Sequence, residues 1–206
     1  MTRSSSHHAD TVRKVAGQAL SDAVEITILT ELIKKQNSDG INDELNKAEA
    51  GRAAGVLRNA LIARLVTIVA RAYAPAKQGD LHVRVAKDLL KDNVTRQIFT
   101  SIDGGKERVS DFEIRWNNCN GDHRRPRVNE FRDKYTAHLG EPTKIEPPTY
   151  KELLEFAAAT AELMESLAFV TLAAVNPVKG DPDVTECADK FWQPWKAATS
   201  EPAAVS

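Results

Sequence analysis

The chain has 206 residues, 42% of them hydrophobic and 28% charged, a length and balance that suit one folded domain and exclude an intrinsically disordered chain. Its formal net charge of −1 gives no overall pull toward nucleic acid or anionic lipid, so such contacts require a local patch. The two cysteines, Cys119 and Cys187, sit outside any CxxC or Cys/His ligand spacing, which excludes a disulfide framework and fits a reducing compartment.

Residues 1–10 are polar and lack an apolar h-region. They read as a mobile tail without a secretory signal. A helix is predicted from Thr11, because Val15, Ala19, Ala23, Ile26, Leu29 and Ile33 recur at spacings of three and four. Asn37-Ser38-Asp39-Gly40 ends it. Asn42 is a candidate cap for one long helix over 43–74. Arg58, Arg64 and Arg71 interrupt its apolar run and argue against a membrane span. Pro75 and Gly79-Asp80 close it.

A third helix is predicted over 81–102 and a fourth over 109–118, with a break at the turn-rich 117–122. The next covers 127–138, with Val128, Phe131, Tyr135 and Leu139 as its stripe and Gly140 beyond its end. Pro142 and Pro147-Pro148 hold an extended segment. Thr149 with Glu152 forms a capping box that opens a helix to 175. A short last helix over 183–197 carries Phe191, Trp192 and Trp195, and 199–206 read as a frayed end. No period-two alternation and no solenoid repeat occur. The expectation is an all-α bundle of about five to seven helices, one domain over 11–198, in the cytoplasm.

No GxGxxG, GxxxxGK[ST], HExxH or GxSxG motif is present, so no cofactor and no metal site is expected. Glu162-x-x-Glu165 reads as a solvated face. What remains is Arg132-Asp133-Lys134-Tyr135-Thr136-Ala137-His138, preceded by the basic run His123, Arg124, Arg125 and Arg127.

The phrase from Phe131 to Leu139 resembles the HEPN superfamily, whose signature is an arginine, a polar residue, three to five further residues and a histidine. It looks most like the AbiU-type abortive-infection branch. The helix containing Leu57–Val66 and Arg71–Tyr73 shares the likeness, which spans residues 15–175. The resemblance implies a HEPN-like bundle that forms a two-fold dimer with its motifs facing. It implies metal-independent RNA cleavage by a toxin or phage-defence effector, a possible nucleotidyltransferase-like antitoxin partner, and no membrane partner.

On this reading Arg132, Asp133 and His138 are catalytic. A histidine titrating near neutrality can move a proton, an arginine fork can stabilise a phosphorane, and Asp133 can hold Arg132. Arg124, Arg125, Arg127, Lys134 and Tyr135 bind RNA. The competing readings are a dipole-favoured helix-end His138, a core Tyr135, a solvated arginine loop, and a non-catalytic RNA- or protein-binding dimerisation module. On an ideal α-helix Arg132 and His138 lie about 120° apart, at about 100° per residue.

Overall fold

The computed structural model describes residues 3–37, 40–77, 79–137, 146–172, 176–178 and 181–196, and among these it is all-helical. The first helix, α1 (Arg3–Gln36), starts well before Thr11. Residues 3–10, expected as tail, extend it because the apolar stripe continues: Ala9 and Val12 are buried beside Val15 and Ala16. Hence the helix can bury one more turn of core face than the polar composition suggests.

The single long helix expected over 43–74 is two. Short α2 (Ile41–Lys47) is followed by α3 (Gly51–Ala72). Between them Glu49 adopts φ 58°. The Glu49 N–H donates to Asn46 O at 3.0 Å and the Ala50 N–H to Leu45 O at 2.8 Å. This is a Schellman ending with glutamate where glycine is usual, which is why no glycine signal marked it. The left-handed Gly40 begins α2 in place of the expected Asn42 cap.

The helix expected over 81–102 also divides, into α4 (Val83–Leu89) and α5 (Asn93–Thr100). Asp92 caps α5 by accepting the Thr95 N–H at 3.0 Å. Conversely, α6 (Gly105–Gly121) runs through the turn-rich 117–121 and stops at Asp122. Then come α7 (Arg124–Phe131), α8 (Tyr150–Val170) and α9 (Pro182–Trp192), with one 3-10 turn at Gln193–Trp195. The capping box of α8 forms as the sequence predicts: Glu152 N donates to Thr149 Oγ1 at 3.3 Å, and Thr149 N to Glu152 Oε2 at 2.8 Å. The two split helices account for nine α-helices among the described residues.

The centre of the bundle is α1 against α8, with α6 on the other side of α8. The flanks of α1 are covered by α3, α4 and α9. From Thr160 onward α8 is buried on nearly every side. Glu165, read as solvated, is buried there; its Oε1 accepts the Val178 N–H at 2.9 Å. Glu162 instead accepts Arg115 at 3.1 Å. By length and composition α3 could cross a membrane, yet Leu65, Val66, Ile68 and Val69 are packed in the core. Two of its arginines reach acidic partners on α1. Arg64 grips Glu25 at 2.6 and 2.8 Å, and Arg71 grips the buried Asp22 with both contacts at 2.8 Å.

Candidate active site

Helix α7 ends by widening. Arg132–Ala137 continue the chain as a π-helical segment that packs on α3. An i→i+5 ladder is rare and often found at functional positions. It also alters the azimuth between successive side chains within Arg132–Ala137. Arg132 opens this segment, with its side chain 31% exposed. Its Nε donates to Asp133 Oδ1 at 2.7 Å. The carboxylate one residue on therefore orients the guanidinium. Lys134 is half-buried on the same segment. Tyr135 lies on it by backbone alone, its side chain falling outside what the structure describes, and His138 is outside the described residues.

The basic run upstream is held by the protein itself. Arg124 binds Asp122 through Nε and Nη2, at 3.0 and 2.7 Å, and reaches Glu155 at 3.1 Å. Its guanidinium lies 5.8 Å from the centre of the buried Phe156 ring. Hydrogen bonding to Arg124 lowers the Asp122 carboxyl below its ordinary value. Arg125 donates to Asn120 at 2.6 Å and lies 6.0 Å over Tyr73. Arg127 donates to the carbonyls of Glu146 at 3.1 Å and Pro147 at 2.9 Å, and pairs with Glu152. Three arginines expected along an RNA rim thus join α7 to α3, α6 and α8. Of the run, His123 stands out in solvent, 80% exposed.

Beside the π-helical segment lies a pocket of about 410 Å³ that the sequence did not reveal. Asn59, Ile62 and Ala63 form one wall, at i, i+3 and i+4 of α3. Phe131, adjacent to Arg132, closes the second side; Pro147 and Pro148 make the third; Tyr150 and Leu153 of α8 complete it. Arg127 fixes the proline wall through its bonds to the Glu146 and Pro147 carbonyls. The cluster joins three stretches far apart in sequence.

Buried polar groups elsewhere serve packing. The Tyr73 hydroxyl shares a 2.8 Å hydrogen bond with Thr160, and burial pushes its pKa far up. Burial likewise raises the Cys119 thiol, which leaves it little thiolate for nucleophilic chemistry.

Neither a curated protein nor a solved structure matches the chain significantly. A family model does: the HEPN family described as AbiU2 matches residues 7–181. That span includes α1 from residue 7 onward, α2 through α8, the arginine motif and the pocket. The all-α fold and this match together place the chain in the AbiU2 family of HEPN-like proteins.

Proposed function

We propose that this protein is an endoribonuclease of abortive infection, acting on RNA in the cytoplasm as a toxin or phage-defence effector. The observation that carries the reading is Arg132: in an AbiU2 family chain, it stands at the α-to-π transition with its fork oriented by Asp133. In the proposed reaction the ribose 2′-oxygen attacks the adjacent phosphorus and the bond from phosphorus to the 5′-oxygen breaks. One base takes the 2′-hydroxyl proton, and one acid gives a proton to the leaving 5′-oxygen. The products are a 2′,3′-cyclic phosphate and a free 5′-hydroxyl. His138 supplies the proton transfer. Arg132 stabilises the charge that builds on the phosphorane. A two-fold dimer with facing motifs would provide two histidines, one for each proton. The mechanism needs the 2′-hydroxyl and so selects RNA over DNA. An antitoxin of nucleotidyltransferase type is the proposed partner that holds the activity off.

The test is cleavage of RNA by purified protein in EDTA, with the cyclic phosphate identified at the new ends. His138→Ala is expected to lower the rate by about 100-fold or more, and Arg132→Ala by a similar factor, both with unchanged circular dichroism. Undiminished cleavage by His138→Ala would sink the proposal.

One observation favours a second reading. Arg124, Arg125 and Arg127 direct donors to the protein's own groups, a structural use of the basic run that suits a non-catalytic module whose motif serves dimer packing. Binding or dimerisation with no cleavage under any metal condition would select that reading.

A further inference from the structure

The pocket beside Arg132 has the chemistry of a nucleobase site. Its volume of about 410 Å³ falls within the roughly 300–1,000 Å³ of small-molecule pockets. Two aromatic residues, Phe131 and Tyr150, and two prolines wall it. Base stacking on aromatic side chains is how single-stranded RNA is commonly held, and it needs no charge from the protein. The opening is accessible, since Tyr150 is 49% exposed and Asn59 lies at the surface.

Asn59 supplies the directional group. Its carboxamide offers one acceptor and two donors, the pattern that pairs with adenine at N6 and N7. Guanine is most often read by a bidentate arginine or lysine, and cytosine by a carboxylate. Among the described residues no charged side chain lines the pocket. Position decides the rest. Phe131 is a lining residue and Arg132 is its neighbour in the chain, outside the lining, so a strand that leaves one base in the pocket has Arg132 within reach of a flanking phosphate.

We propose that this pocket captures one unstacked adenine of single-stranded RNA and thereby sets which phosphate meets Arg132. The inference rests on the ribonuclease reading for its biological meaning, but base capture is measurable without cleavage. Arg127 is a positioning residue for the site, because it pins the proline wall.

The experiment uses the full chain with 2′-O-methyl hexamers of adenosine, cytidine and uridine, which lack the attacking hydroxyl. Fluorescence anisotropy should show the adenosine hexamer bound at least about fivefold more tightly than the other two, from the 1–3 kcal/mol discrimination of a good bidentate pair. Asn59→Ala should bring that ratio close to one. Tyr150→Ala should weaken all three hexamers about tenfold, the scale of one lost stacking contact. Both residues are exposed, so neither substitution removes core packing.

Equal affinity for the three hexamers, no binding of any hexamer, or an adenosine preference that survives Asn59→Ala would each overturn the proposal. A change of oligomeric state in Asn59→Ala without base preference would overturn it too, and would assign the pocket to a second copy of the chain. The two readings fail separately. Adenosine preference without cleavage of unmodified RNA sinks the ribonuclease reading alone. Cleavage at sites indifferent to adenine, unchanged by Asn59→Ala, sinks the base pocket alone.

Discussion

At the scale of single residues, the arginines divide by what they touch. Arg96 and Lys87 meet on Glu113: Arg96 binds both oxygens, at 2.7 and 2.8 Å, and Lys87 binds one at 2.9 Å. Hydrogen bonding to Arg96 is the main cause that lowers the Glu113 pKa from 4.5 to about 2. A carboxyl held low in the folded state stabilises it above its ordinary value of 4.5, and that contribution is lost as pH falls from there toward about 2. Glu113→Gln should therefore cost about 2 kcal/mol at pH 7, allowing for partial exposure. Urea melts at pH 7 and pH 3 test this: the gap between variant and parent should shrink at pH 3, and a constant gap would refute the linkage. Arg127 is the second case. Its bonds to Glu152 and two carbonyls predict that Arg127→Ala loses about 2 kcal/mol. An unchanged urea melt with weaker RNA binding would return Arg127 to the RNA rim. The arginine cluster was legible in the sequence, but its partners within the protein were not. Its acceptors lie up to 31 residues away, and an arginine run looks the same whether it faces phosphate or carboxylate.

At the scale of elements, strong local signals survived and weak ones misled. The Thr149 and Glu152 box is local chemistry, complete within four residues, and it forms as read. Thr149→Ala removes the Oγ1 acceptor and should cost about 1 kcal/mol by urea denaturation; a loss below about 0.3 kcal/mol would show that the helix start is held by Arg127 and not by its cap. The end of α2 is the opposite case. Glu49 holds φ 58°, a conformation that costs a side-chain-bearing residue about 1 kcal/mol or more. It is exposed, so Glu49→Gly should stabilise the protein by about 0.5–1 kcal/mol, net of glycine's larger unfolded-state entropy. A destabilised variant in the urea melt would mean that the Glu49 side chain contributes more than its backbone costs. The π-helical Arg132–Ala137 left no trace in sequence, because Val128, Phe131 and Tyr135 repeat at spacings an α-helix also satisfies. Arg3 and His8, within α1, also fall inside the permitted Arg-to-His spacing, so only the surrounding phrase distinguished the motif that the AbiU2 match covers.

At the scale of the whole molecule, a second, smaller core fastens the C-terminal end. Ile41, Leu45, Ala54 and Trp192 are buried together, and the Trp192 indole N–H donates to Leu32 O at 3.0 Å. Trp192→Ala should cost about 3 kcal/mol or more, as large core truncations do, measured by urea unfolding. A cost under 1 kcal/mol would show α9 to be dispensable. Assembly is testable at the same scale. The facing-motif dimer should appear in sedimentation as a species of twice the chain mass. Full cleavage by a strictly monomeric protein would remove the second histidine from the mechanism.

The sequence by itself determined the helical class, the boundaries set by capping and proline chemistry, and the Arg132 to His138 phrase, because each depends on residues within a turn or two of one another. Tertiary structure decided the rest. It divided two long apolar stretches into four helices, buried Glu165, turned the arginine run inward, and set Asn59, Phe131 and Tyr150 around one pocket. Those outcomes depend on contacts between segments tens of residues apart. Periodicity records which face of a helix is apolar, but not which partner that face will meet.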